Sequence, residues 1–77
     1  MADKFEYEIV EKFGTLSDKN GWTKELNFIS YNNAAPKYDL RTWNIDEEGN
    51  QKMSKGVTLD KSEIKKLKEI LDNIGLD

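Results

Sequence analysis

The chain has no cysteine and no histidine among its 77 residues. Without cysteine it has no disulfide and no thiolate metal site. With histidine also missing, the usual nucleophile–base pairs, zinc ligands and neutral-pH proton shuttle are gone. There is one proline, and no apolar run approaches the roughly 20 residues needed to span a bilayer. Met1-Ala2-Asp3-Lys4 lacks the charged-then-apolar pattern of a signal segment. These absences argue against catalysis, against a bound metal or cofactor and against a membrane location, and they predict a cytoplasmic protein. Asp46-Glu47-Glu48-Gly49-Asn50 faintly resembles a calcium loop but lacks the alternating oxygen ligands and the distal Glu.

Seventy-seven residues make a single domain spanning 1–77. A chain this short buries only about 60% of its unfolded surface. With no disulfide or metal to help, oligomerisation is a common route to stability, and a homodimer is expected. The formal net charge is −3, but it is unevenly spread. Residues 1–18 carry two Lys against five acids, and residues 46–60 two Lys against four. Residues 19–45 carry Lys19, Lys24, Lys37 and Arg41 against Glu25 and Asp39, a balance of +2. The cationic excess coincides with both tryptophans, Trp22 and Trp43.

Phe5-Glu6-Tyr7-Glu8-Ile9-Val10-Glu11 alternates in the manner of a half-buried strand, with Phe5, Tyr7 and Ile9 facing the core. Thr15-Leu16 extends it past a kink at Gly14. Asn20-Gly21 is a strong turn signal. Trp22 to Tyr31, Lys37 to Asn44 and Met53 to Leu59 read as three further strands. Apolar residues occupy both parities of the second strand. Either a bulge near Asn27 changes its parity or both its faces are apolar, so the faces of Asn27, Phe28 and Tyr31 stay open. Asp60 with Glu63 forms a capping box, Ile64, Leu67, Ile70, Leu71 and Ile74 follow at helical spacing, and Gly75 suits the C-terminal cap. The expected fold is α+β: a curved four-stranded antiparallel meander followed by one helix that covers one sheet face.

Trp22 stands two residues from Lys24, and Arg41 two from Trp43. Residues two apart on a strand share a face, so the expectation is one open face carrying both indoles and their cations. Such a face suits an unstacked nucleic-acid strand, with rings to stack bases and cations to neutralise phosphates. The bland readings are a core role for the tryptophans and an Arg41 ion pair with Asp39 or Glu25. Lys37 and Lys55 are further candidate phosphate contacts. Asn27 is a candidate for a base edge or a bulge cap. Phe28 and Tyr31 are candidates for the rim of the surface or for apolar filler.

Lys37-Tyr38-Asp39-Leu40-Arg41-Thr42-Trp43, the acidic turn at Asp46–Gly49, Met53-Ser54-Lys55-Gly56-Val57-Thr58-Leu59 and the capped helix together resemble the positive cofactor four family of transcriptional coactivators. Gly21-Trp22-Thr23-Lys24-Glu25-Leu26-Asn27 is similar to its compact bacterial members, called YdbC. The resemblance implies a homodimer of the bacterial cytosol or nucleoid. It implies binding of single-stranded DNA, with RNA not distinguished, and little sequence preference. Arg41 and Lys55 match its phosphate contacts, Trp43 its stacking cluster, and Trp22 and Lys24 positions in the compact members. The chain's acidity, its single arginine and its lack of a Ser- and Lys-rich tail depart from the eukaryotic pattern. The alternative is a protein-interaction adaptor in transcription that uses the open sheet face.

Overall fold

The computed structural model describes residues 6–76, and Phe5, expected in the core, lies outside them. Four strands and a helix follow in order: β1 (Tyr7–Lys19), β2 (Trp22–Tyr31), β3 (Lys37–Ile45), β4 (Gln51–Leu59) and α1 (Lys61–Asn73). The strands pair as an antiparallel meander, β1-β2-β3-β4, which does not close, so β1 and β4 are its edges.

The turns follow from local chemistry. Asn20 and Gly21 both take left-handed backbone angles, with φ of 52° and 81°, and join Lys19 to its partner Trp22 in a two-residue hairpin. Asn32 and Asn33 take φ of 51° and 65°, and the Ala34 amide donates to the Tyr31 carbonyl. In the third turn the amides of Glu48 and Asn50 both donate to Asp46 Oδ1 at 2.9 Å. Those donors, Asn50 first, hold the Asp46 carboxyl below its ordinary range.

β2 pairs with β3 without a register shift, so β2 has no bulge near Asn27 on that side and both its faces are used. The irregularities lie in β1, which shifts register against β2 at Ile9/Glu11, Lys12/Gly14 and Thr15/Ser17. An extra residue bends a strand and exchanges its faces. Tyr7 and Ile9 therefore align with Tyr31 and Ile29. Phe13 instead packs its ring on Phe28 and Tyr38, on the opposite face.

One face forms the interior. Ile29, Trp43, Asn27 and Asp39 have no exposed surface, and Glu25 is nearly as buried. The sheet must curl towards this face. Tyr7 pairs with Tyr31 and Trp43 with Thr23, eight positions apart along β2. A flat strand would separate those positions by about 26 Å, yet the Tyr7 and Trp43 ring centroids lie 5.7 Å apart. Gly56 opposes Arg41 where β4 is irregular, and a Cβ there would stand 2.6 Å from the Leu40 carbonyl oxygen. No side chain fits at that approach.

The helix begins as its sequence dictates. The Glu63 amide donates to Asp60 Oδ1 and the Asp60 amide donates to Glu63 Oε1, both at 2.9 Å. Gly75, at φ 63°, follows the C-cap Ile74. The expectation that α1 covers a sheet face is corrected. The helix touches only β3 and β4, and none of its residues is buried. Ile64 and Leu67 are half-buried, whereas Ile70, Leu71 and Ile74 stand exposed. The molecule is accordingly elongated, 47 × 31 × 18 Å.

Candidate nucleic-acid interface

The inner face carries two clusters of polar contacts over a small apolar floor. Arg41 Nε and Nη2 donate to Asp39 Oδ1 and Oδ2 at 2.6 and 2.7 Å, and its Nη1 donates to the Ser54 carbonyl at 2.9 Å. The Tyr31 hydroxyl donates to the same carboxylate, and its ring lies 5.9 Å from the guanidinium carbon. Hydrogen bonding to Asp39 raises the Arg41 pKa above its ordinary value. Burial, followed by the bond to Asp39, pushes the Tyr31 phenol well up. Both groups keep their protons throughout the neutral range. Glu25 accepts from Thr23 Oγ1, Asn27 Nδ2 and Gln51 Nε2, at 2.7, 3.2 and 3.3 Å. Trp43 Nε1 and Asn27 Oδ1 are buried with no hydrogen-bond partner among the described residues.

The outer face is open. Trp22 is 45% exposed. Its cross-strand neighbour on β1 is Lys19, and Lys24 follows two positions along. Lys24 and Lys55 flank a hollow of about 360 Å³ whose lining also includes Leu40, Arg41, Thr42, Gly56 and Val57. Farther along the face, the rings of Phe13, Phe28 and Tyr38 cluster at centroid distances of 5.0 to 5.9 Å. Beyond them the surface turns acidic. Glu11 opposes Phe28, Glu8 opposes Ser30, and a second hollow of about 480 Å³ is lined by Glu6, Glu8, Ser30, Asn32 and Asn33. Carboxylates there would repel a phosphate chain, so favourable charge for a nucleic acid lies at the Trp22 end.

The expectation of one shared face for both indoles is corrected. In the β2–β3 register each pair of residue numbers sums to 66: Trp22 faces Asn44, Thr23 faces Trp43, and Lys24 faces Thr42. Even residues therefore share a face with even ones, and the two tryptophans point to opposite faces. Trp22, Lys24, Phe28 and Lys55 gather on the outer side. Asn27, Tyr31, Lys37, Arg41 and Trp43 belong to the inner parity, with Lys37 exposed at the strand's start and the other four engaged in or beneath the polar clusters. Spacing within a strand gave each Trp–cation pair its common face but not the relation between strands. Phe13, Lys19, Leu40, Thr42 and Val57 join the outer face without having been singled out. The last three were readable from strand parity, but Phe13 depends on the bulges of β1.

Among the described residues no group of three or more His, Cys, Asp or Glu side chains could hold a metal ion. Among the described residues no helix is long and apolar enough to cross a membrane.

A family model described as Transcriptional Coactivator p15 (PC4) matches residues 19–70, which contain β2, β3, β4 and most of α1. A protein of Treponema pallidum (strain Nichols), named only as uncharacterized, is 46% identical over 78 aligned positions covering 100% of this chain and 88% of the relative. β1 lies almost wholly outside the family match, whereas the Treponema relative spans it.

Proposed function

This chain belongs to the transcriptional coactivator p15 (PC4) family, and from that premise we propose that it binds single-stranded nucleic acid, DNA foremost, on its outer sheet face, without catalysis and as a homodimer. The observation that carries this reading is the half-exposed Trp22 beside the hollow rimmed by Lys24 and Lys55. Bases stack on Trp22, and the half-exposed Phe13–Phe28–Tyr38 cluster offers a second aromatic surface. A stacked base contributes about 1–3 kcal/mol and any base can supply it. Phosphates meet Lys19, Lys24 and Lys55. Arg41 acts differently from a free phosphate contact: its fork is held by Asp39 and its Nη1 bonds the Ser54 carbonyl on β4. Asn27, Tyr31 and Trp43 support the same face from beneath, and Lys37 lies at its margin. Duplex DNA offers no free ring faces and binds poorly.

The homodimer reading rests on α1, whose exposed Ile70, Leu71 and Ile74 form an apolar stripe with no cover in one chain. A strand running over two copies meets about six lysines, which gives a log–log salt slope of roughly −4. The test is a titration with oligothymidine and with duplex of equal length at several salt concentrations. Strong, salt-dependent binding of the single strand alone is expected. Equal affinity for duplex, or no binding of either, overturns the proposal. An adaptor that used this face for an apolar protein interface would show little salt dependence.

A further inference from the structure

We infer that the hollow between Lys24 and Lys55 takes the edge of a thymine base, so that the outer face favours thymine over uracil and cytosine at one position in each chain. This rests on the strand-binding reading above and goes beyond it, since stacking and phosphate contacts alone distinguish no base.

The argument begins with what the hollow offers. Its volume, about 360 Å³, lies at the small end of ligand pockets and has room for a base. Its walls are largely carbon: Leu40 and Val57 are neighbours across β3 and β4, and Gly56 contributes no side chain. The one neutral polar side chain is that of Thr42, opposite Lys24 in the β2–β3 pairing. The rim carries two ammonium groups, donors only. Neither Lys24 nor Lys55 has an ion-pair partner within 4 Å among the described residues.

The bases differ in how they meet this lining. Thymine presents a carbonyl acceptor, O4, beside its 5-methyl group. The acceptor suits an ammonium on the rim and the methyl suits Val57 and Leu40. Uracil has the acceptor without the methyl. Cytosine presents an amino donor where thymine has the acceptor, and that donor would face the ammonium groups with nothing to give them. Val57 is 54% exposed in the chain, so the proposed contact also covers carbon that is otherwise in water.

The test uses the full chain and end-labelled single strands of equal length, oligo(dT), oligo(dU) and oligo(dC), with binding read by anisotropy. Burying one methyl group predicts dT tighter than dU by about fourfold for each hollow filled, with dC weaker than dU. In Val57→Thr, which keeps the β-branched shape but puts a hydroxyl in the wall, the dT-to-dU ratio should fall towards unity. Circular dichroism and sedimentation of the variant establish that fold and assembly are kept. Equal binding of dT and dU by the unaltered protein overturns the inference and leaves strand binding standing. A ratio that survives Val57→Thr also overturns it, because the methyl group is then felt on the rings. A change in the sedimentation of free Val57→Thr overturns it by assigning the hollow to contact between copies. Failure of every strand to bind refutes the strand-binding reading itself.

Discussion

Replacing Arg41 by methionine separates a structural role from a phosphate-binding one. The substitution keeps most of the stem and removes the guanidinium. Asp39, which has no exposed surface, then keeps only the Tyr31 hydroxyl of its three side-chain donors. Removing one partner of a buried ion pair typically costs about 3–5 kcal/mol, mostly through the charge left behind. The Arg41 side chain is 13% exposed, so water reaches one side of the pair and the expected loss sits at the lower end, about 3 kcal/mol. For a small domain whose stability falls by about 1 kcal/mol per molar urea, the midpoint drops by about 3 M. The double variant Asp39→Asn with Arg41→Met leaves no unpaired charge at this site and should recover part of that loss. The pair offers no useful pH handle: the Arg41 pKa is raised, so the stability tied to it is complete throughout the neutral range and is lost only in strong alkali. The assay is urea unfolding followed by circular dichroism, with oligonucleotide affinity measured on the folded fraction. A loss under 1 kcal/mol, with a salt slope shallower by about 0.7, would refute the reasoning, because Arg41 would then be a free phosphate contact.

Gly56→Ala should destabilise the chain by about 1–3 kcal/mol in the same unfolding assay, because its Cβ would stand 2.6 Å from the Leu40 carbonyl oxygen. Asp60 is held below its ordinary pKa of 3.8, first by the Glu63 amide. A lowered folded-state pKa gives stability that is present above 3.8 and lost as pH falls through the folded value. The melting temperature should therefore decline below that pH, and Asp60→Asn should weaken the decline in acid thermal scans. Ile74→Asp puts a charge in the exposed stripe of α1. It should shift sedimentation from dimer to monomer while leaving the far-ultraviolet spectrum intact, and an unchanged dimer would place the interface elsewhere.

Locally coded features of this fold were legible in the sequence. The Asp60–Glu63 box, Gly75 and the Asn20-Gly21 turn each depend on residues a few positions apart, and each stands where the pattern puts it. The four strands follow from alternation and turn residues. The relation between the faces of β2 and β3 was not legible, because it depends on how residues 32–36 set the pairing, and a register change of one residue exchanges every side chain. That is why Trp43 lies beneath Tyr7 whereas Trp22 faces water. Phe13 reaches the outer aromatic cluster only because β1 is irregular, and nothing in its alternation announces three register shifts. The apolar stripe of α1 was plain, but amphipathicity says only that a face seeks cover, not that its own sheet supplies it. At Arg41, the choice between an ion pair and a phosphate contact turned on the fully buried Asp39 carboxylate, whose burial no spacing rule reveals.

The two indoles, one open and one sealed, provide the most direct test of the outer face. Intrinsic fluorescence is titrated with oligothymidine in Trp43→Phe, which retains Trp22, and in Trp22→Phe, which retains Trp43. Strong quenching is predicted in the first. The second should show little change in emission and an affinity lower by about fivefold or more, the value of one lost stacking contact. Quenching of Trp43 in Trp22→Phe at undiminished affinity would contradict the account and place the strand on the inner face.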